Sequence, residues 1–467
     1  MKTNKVYLVG AGPGSPDLIT VRGREILRQA DVIIYDYLVD KRILEEAKED
    51  TELICCDKLG KKRYSDGFLV HQEKINNLMV KRARQGKKVL RLKNGDPSIF
   101  SRLSQELEAL VKHKIEFEIV PGVSAASGAS GFSGIPLTDR RFSSSCVFVT
   151  GHEDPKKEKS ALAWDILSKV DTLVLYMAVE NLAKIVERLI KAGKSQNTPC
   201  VIIQNATLLT QKILSGTLKD IVAKAKKHKI RPPAIIIIGE VAKLEKRFNW
   251  FRQNRRILFT GLSKERFFIK GTYSHLPLIK IGPLKDYKRF DNYLKNIRKF
   301  GWIIFSSRYG VKYFFKRLKT IGYDSRVFKG IKFAAIGNST KSHLLDFGIN
   351  ANLVPKEESS KGLLKEFKEL NLKDKRIFLP HSDLSDKGLT NGLKAQGAKV
   401  VSCIGYKNVM PDYLPDLDLN SFVEIKFSSP SSVRNFVKRY GFIPKKVKVS
   451  CIGEVTRKEA KQCRLLD

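Results

Sequence analysis

Short runs of β-branched and other apolar residues punctuate the first half of the chain, at Val6–Val9, Val32–Tyr35, Val89–Leu92, Val147–Thr150, Thr172–Tyr176, Val201–Ile203 and Ala234–Ile238. Longer stretches with helical spacing separate them. An unbroken apolar run suits a strand covered on both faces, and its alternation with helices predicts an α/β fold with largely parallel sheets. A break around Val120-Pro121-Gly122 divides this half into two lobes before residue 248. Arg247–Arg256 is basic and polar around Trp250-Phe251, and a domain junction is expected there.

Beyond the junction the pattern nearly repeats. Trp302-Ile303-Ile304-Phe305-Ser306-Ser307 is echoed 122 positions on by Glu424-Ile425-Lys426-Phe427-Ser428-Ser429. Ala335-Ile336-Gly337-Asn338-Ser339-Thr340 is echoed 116 positions on by Cys451-Ile452-Gly453-Glu454-Val455-Thr456. Two related α/β lobes are expected, each with strands ending in small hydroxyl residues that suit a helix N-cap or an anion.

Composition narrows the class. The 467 residues are enough for two to four compact units. Lys+Arg number 87 against 48 Asp+Glu, a formal net charge of +39. The cations are spread rather than blocked, so most of the excess reads as lysine-rich composition. What remains favours polyanionic partners, small polycarboxylates included. The apolar runs are too short for a membrane span, and only four apolar residues stand between Lys5 and Gly10, too few for a signal peptide. Seven cysteines without a C-x-x-C, and seven scattered histidines, offer neither a disulfide framework nor metal-ligand spacing. The reading is a cytoplasmic, reduced, metal-free protein with no nucleic-acid or membrane partner.

Gly10-Ala11-Gly12-Pro13-Gly14 follows a strand and precedes a helix. A dinucleotide fold with Asp31 or Asp36 as ribose partner is one reading. However, the spacing is G-x-G-x-G, and Pro13 lacks the N–H that a pyrophosphate cradle uses. A tight turn admitting an uncharged ligand fits better. The residues alone leave Asp36 open to a helix N-cap role, Lys61 to a solvated basic face, Met177 to core and His152 to structure.

Further motifs stand in order: Tyr35-Asp36-Tyr37-Leu38-Val39, Gly60-Lys61-Lys62, Gln72-x-x-Ile75-Asn76, Arg91–Pro97, Pro121-Gly122-Val123-Ser124-Ala125, Gly134–Thr138, Val149–His152, Leu175-Tyr176-Met177 and Gly216-Thr217-Leu218. With the glycine-rich loop they resemble the uroporphyrinogen-III C-methyltransferases over about residues 4–251. The resemblance implies a two-lobed methylase domain at 1–250, with S-adenosylmethionine in the cleft between its lobes. It puts Pro13, Asn94, Gly95, Asp96, Ile99, Ser124, Ala125, Met177 and Ala206 at that cofactor, Asp36 as proton acceptor and Lys61 as proton donor. A homodimer through this domain is one assembly it allows. Three glycines usual in the family are Ser101, Leu103 and Ser104 here, so a stiffer loop beside the cofactor is expected.

Residues 255–467 resemble uroporphyrinogen-III synthase, on Pro277-Leu278-Ile279, Trp302–Val311, Ala335–Thr340, Leu353-Val354-Pro355, Gly362-Leu363-Leu364, Gly405-Tyr406, Phe427–Phe436 and Cys451–Thr456. That implies a two-lobed α/β domain. Tyr406 would assist hydroxyl departure, and Ser306, Ser307, Ser339, Thr340, Ser428, Ser429 and Thr456 would line a cleft, with ordinary N-caps the alternative for at least half of them. Gly261-Leu262 replaces the usual Arg-Pro after the first strand, the helix after it is short, and Tyr309 replaces the Asn before Gly310. The combined expectation is a bifunctional enzyme on small polycarboxylate tetrapyrroles. It closes hydroxymethylbilane to uroporphyrinogen III and methylates that at C2 and C7 to precorrin-2, which stands where routes to siroheme, cobalamin and haem d1 part. No module that would complete siroheme is expected on this chain. Two rival readings are a methylase whose second half only binds tetrapyrrole, and a methylase relative acting on RNA or protein.

Overall fold

The computed structural model describes residues 5–56, 62–64, 67–69, 72–151, 162–253, 256–263, 273–385 and 387–466. They form two units: residues 1–256 with 415–421, and residues 257–414 with 422–467.

In the first unit β1 (Val6–Gly10), β2 (Val32–Tyr35) and β3 (Glu52–Cys55) precede a small hairpin, β4 (Lys62–Tyr64) with β5 (Gly67–Leu69). Then come β6 (Val89–Lys93) and β7 (Phe117–Val120). The main sheet runs β3-β2-β6-β1-β7 and is parallel throughout. Its strands serve two cores with alternate residues. Val9, Ile33, Leu90 and Leu92 pack with the helix Val21–Gln29 on one face, and Leu8, Val32, Ile34 and Val89 with the helix Gln72–Arg84 on the other. Burial on both faces explains why these strands read as unbroken apolar runs.

The second lobe departs from the expected parallel order. Its strands are β8 (Cys146–Thr150), β9 (Thr172–Tyr176), β10 (Pro199–Gln204), β11 (Lys212–Thr217) and β12 (Ala234–Ile238), ordered β11-β10-β12-β9-β8. Only β8 and β9 pair in parallel; β9·β12, β12·β10 and β10·β11 are antiparallel. The apolar run Ala234–Ile238 could not reveal this. Ile236 and Ile238 feed one core and Ile235 and Ile237 another, so the run records two covered faces, not a pairing direction.

Among the described residues the second unit holds two sheets. β13 (Arg256–Phe259), β14 (Tyr273–His275), β20 (Phe422–Phe427) and β21 (Lys448–Cys451) are ordered β14-β13-β20-β21. β15 (Lys280–Gly282), β16 (Trp302–Phe305), β17 (Lys332–Ala335), β18 (Arg376–Ser382) and β19 (Lys399–Val409) are ordered β15-β19-β18-β16-β17. The faint repeat reappears as architecture. In one lobe β16, the helix Arg308–Thr320, parallel β17 and the helix Asn338–Leu345 follow in turn. In the other come β20, the helix Pro430–Tyr440, parallel β21 and the helix Glu454–Gln462. A core rich in phenylalanine, including Phe290, Phe305, Phe314 and Phe378, holds the larger sheet.

Candidate active sites

In the first unit, β6 places Arg91 and Lys93 two residues apart and therefore on one face of the strand. Both are buried, 3% and 1% exposed, and each needs an anion. Glu106, in the first turn of the helix Leu103–Lys112, supplies it from a fully buried position. Arg91 Nε donates to Glu106 at 2.8 Å and Lys93 Nζ donates to it at 2.8 Å. The other end of Arg91 reaches out of the core, where Nη2 donates to Asp36 at 2.5 Å. Asp36 directly follows β2 and also accepts from the Asn94 backbone N–H at 3.3 Å. Two cations and two carboxylates thus form one chain of charge, and Asp36, its side chain 32% exposed, is the end nearest solvent.

Asp36 is not a helix cap. The next helix, Lys41–Leu44, is capped by Asp40, which accepts from Arg42 N. Burial opposes a charge on Asp36, yet Arg91 and Lys93 outweigh it and hold the carboxyl below its ordinary value. On Lys93 burial dominates and pulls the ammonium below its usual range, aided by Arg91. Burial pushes the nearby Cys56 thiol up to about 12. Lys61 and His152 lie outside the described residues.

The glycine-rich loop works by close packing. A methyl group on Gly10 would lie 2.6 Å from both the Gly95 carbonyl oxygen and Gly122 Cα. Gly12 and Gly95 exchange backbone hydrogen bonds at 3.2 and 2.8 Å, joining the Pro13 loop to the loop after β6. Pro13 in turn packs on Gly128 of the helix Ala125–Ser133. Asp96 ties the loop after β6 to the one after β7, accepting from Gly122 N at 2.9 Å, from Ser98 N at 2.7 Å and from the Ser98 hydroxyl. Burial raises its pKa, but those hydrogen bonds outweigh it and the value falls.

Ser124 caps the helix Ala125–Ser133, accepting from Ser127 N at 3.1 Å, and Tyr176 Oη accepts from Ala126 N at 3.1 Å. Met177 follows Tyr176 in a left-handed backbone conformation, 53% exposed. Ile99, Ala125 and Ala206 pack against one core cluster. Pro13, Asn94, Gly95, Asp96, Ile99, Ser124, Ala125, Met177 and Ala206 therefore come from loops just beyond the carboxyl ends of β1, β6, β7, β9 and β10, where α/β sheets bind ligands. Phe100, Arg102, Asn205 and Thr207 in the same loops also adopt positive φ, a concentration of strain typical of functional sites. The three positions that lost the family's glycines do not. Ser101, Leu103 and Ser104 have no positive φ, and Leu103 packs on the core, so those substitutions impose no backbone strain. Sequence reasoning did not assign roles to Arg91, Lys93 and Glu106. The signal was present, since two cations at alternate positions inside an apolar strand require buried anions.

In the second unit Tyr406, on β19, is buried and stacks on Tyr313 with centroids 5.8 Å apart. Its hydroxyl lies 2.7 Å from Ser307 Oγ. Burial raises the phenol's pKa, while bonds with Ser307 and Ser382 oppose the rise. Ser307 also caps the helix Arg308–Thr320 by accepting from Gly310 N at 3.1 Å. Beside this pair lies a cavity of about 230 Å³ that includes Ser306, Ser307, Arg308, Tyr309, Ser339 and Thr340 in its lining. Ser428, Ser429 and Thr456 sit at or after the carboxyl ends of β20 and β21 in the other lobe, where Ser429 forms a capping box with Ser432. Among the described residues no His, Cys, Asp or Glu cluster could hold a metal ion, and no helix is long and apolar enough to cross a membrane.

Comparison with known proteins divides the chain in the same order. Residues 5–222 match the tetrapyrrole (corrin/porphyrin) methylases, and residues 271–466 match uroporphyrinogen-III synthase HemD. A porphyrin biosynthesis protein HemD from Ruminiclostridium josui is 32% identical over 482 aligned residues, spanning 100% of this chain and 95% of the relative. A uroporphyrinogen-III C-methyltransferase from Priestia megaterium is 49% identical over 238 residues, 51% of this chain and 98% of its own length. A siroheme synthase from Pseudomonas putida W619 is 44% identical over 253 residues, 54% of this chain and 53% of its own.

Proposed function

The chain belongs to the family of porphyrin biosynthesis proteins that join a tetrapyrrole methylase to a uroporphyrinogen-III synthase, and from that premise we propose a two-step reaction sequence. The second unit closes hydroxymethylbilane to uroporphyrinogen III, and the first methylates that product at C2 and C7 to give precorrin-2. The observation that carries this reading is the whole-length relative, which keeps both halves in the same order. Residues 1–250 carry the methylase and 255–467 the synthase. Fusion suits the chemistry, because hydroxymethylbilane left alone closes to the wrong isomer.

S-adenosylmethionine is the methyl donor in this reading. Pro13, Ile99, Ala125 and Ala206 offer it a largely apolar wall, while Gly95 and the neighbouring turns let the backbone approach. Asp96, Ser124 and Met177 stand beside them. When bound, it supplies the methyl group to a pyrrole carbon already made nucleophilic by its ring nitrogen, so alignment contributes most of the rate. Asp36, held ionised by Arg91, faces the cationic ring that forms, takes its proton and returns it to water. Lys61 serves as proton donor.

In the second unit the Tyr406 phenol remains protonated at neutral pH and donates to the departing hydroxyl, with Ser307 holding the phenol in place. We place the protein in the cytoplasm, metal-free, with homodimers forming through the first unit. The test is a coupled assay of the full chain with hydroxymethylbilane and labelled S-adenosylmethionine, with products identified by mass. Labelled precorrin-2 is expected. Binding of hydroxymethylbilane without turnover would instead mark the second unit as a binding module.

A further inference from the structure

We propose that Arg308 binds a side-chain carboxylate of the linear tetrapyrrole and thereby places that end of the substrate against the Ser307–Tyr406 pair. This rests on the ring-closure reading above. The cavity beside Ser307 holds about 230 Å³, below the roughly 300–1,000 Å³ of pockets that enclose a whole drug-sized ligand. It suits one pyrrole ring with its acid arms rather than four rings. Ser306, Ser307, Ser339 and Thr340 line it with neutral hydroxyls, and Arg308 is the one cation among the described residues of the lining. Glu358, the anion there, is occupied by Asn338 Nδ2, which donates to it at 2.8 Å.

Arg308 has no carboxylate partner among the described residues. Its guanidinium lies over the Tyr309 ring, 5.0 Å from the centroid, and Nη2 donates to Tyr309 Oη at 3.1 Å. The plane is thus oriented while most of its N–H groups remain available, a fork that matches a carboxylate. Its position is unfavourable for folding, because Arg308 is the first residue of the helix Arg308–Thr320, where the backbone dipole disfavours a cation. The same dipole favours an anion laid between Arg308 and the helix end. A substrate with eight carboxylates supplies one, and Ser307 carries the contact on to the Tyr406 hydroxyl, 2.7 Å away.

The test compares the full chain with Arg308→Gln, Arg308→Lys and, as a charge-matched control, Lys399→Gln, an exposed lysine paired with Asp374. Arg308→Gln should raise the KM for hydroxymethylbilane about tenfold, the scale of one charge-assisted hydrogen bond, with kcat changed far less. Arg308→Lys should recover part of the loss, and Lys399→Gln should match the parent. The parent's KM should climb more steeply with salt than that of Arg308→Gln. Binding is read separately with 1-methylbilane, an octacarboxylate without the leaving hydroxyl, whose Kd should weaken by a similar factor. Parental KM and Kd in a folded Arg308→Gln protein would overturn the proposal. A parent that binds 1-methylbilane yet closes no ring would overturn the ring-closure reading, leaving the Kd comparison to decide Arg308. A parent that binds no 1-methylbilane would overturn both.

Discussion

The two candidate sites stabilise charge by opposite means. Beneath Asp36 the first unit buries Arg91, Lys93 and Glu106 in direct contact, with charges that balance only as a set. Around Tyr406 the second unit places a phenol, hydroxyls and an aromatic stack. Buried ion pairs often stabilise less than an apolar core of the same volume would, so stability alone does not account for the set under Asp36. On the proposed reading a methylated ring carries new positive charge, and Asp36 is the anion that meets it. The contrast is therefore between a buried set of coupled charges and a neutral cluster of phenol and hydroxyl.

The most forceful way to break that contrast is to unbalance the buried set. Glu106→Ala leaves Arg91 and Lys93 facing each other without an anion between them, and a loss of about 3–5 kcal/mol is expected. Chemical denaturation of the full chain measures it, and a change below 1 kcal/mol would show that the charges are not coupled. Asp36→Asn keeps the shape and removes only the exposed end of the network. Methylation of uroporphyrinogen III should fall on the order of a hundredfold or more, with ring closure in the same preparation as an internal reference. Normal methylation would leave Asp36 a structural partner of Arg91.

Tyr406→Phe removes one donor from the neutral site. About a hundredfold loss in ring closure is expected, read as the ratio of isomer III to spontaneous isomer I, with little change in stability because no large cavity opens. An unchanged ratio would leave substrate folding as the sole basis of ring closure.

The smallest effect is in the pH dependence of stability. Asp36 has a depressed pKa, so its contribution is complete above its ordinary value near 3.8 and is lost as pH falls through the lower folded value. Tyr406 has a raised pKa, so its contribution is complete below about 10 and is lost as pH rises through the folded value. Asp36→Asn should therefore flatten the acid limb of the stability curve and Tyr406→Phe the alkaline limb. Urea midpoints across pH would show both, and the reverse assignment would contradict the network.

The sequence revealed central strands better than edges. β1, β2, β6, β9, β10 and β12 announced themselves because both faces are covered. Of the edge strands in these two sheets, β8 stood out as well because Val147, Phe148 and Val149 are apolar, whereas β3, β7 and β11, with partly or fully exposed residues, did not. A half-wet strand mixes polar and apolar positions too irregularly to stand out in a short run. The antiparallel order around β12 escaped for a different reason, since pairing direction leaves no mark on burial. At the first site, the motifs named residues of the loops that follow the carboxyl ends of β1, β6, β7, β9 and β10. The partners of Arg91 were missed because Glu106 lies fifteen residues away on a helix. The glycine-rich loop was read as giving a ligand access to the backbone, and much of its constraint is the contact of Gly10 with Gly95 and Gly122. Lys61 lies outside the described residues.

The two lobes of the second unit repeat one order of strands and helices, and a linear tetrapyrrole is itself four near-copies in a row. A receptor of two like lobes faced with a repetitive ligand has an addressing problem, since sliding by one ring or binding back to front would preserve most contacts. Direction can be encoded only where the lobes differ. Offset by 122 positions, Ser306-Ser307 and Ser428-Ser429 are equivalent, but the next two residues are Arg308-Tyr309 in one lobe and Pro430-Ser431 in the other. One helix start carries a cation on an aromatic plate and its counterpart carries neither. On the proposed reading, that difference gives the two helix starts distinct addresses for a head-to-tail polymer.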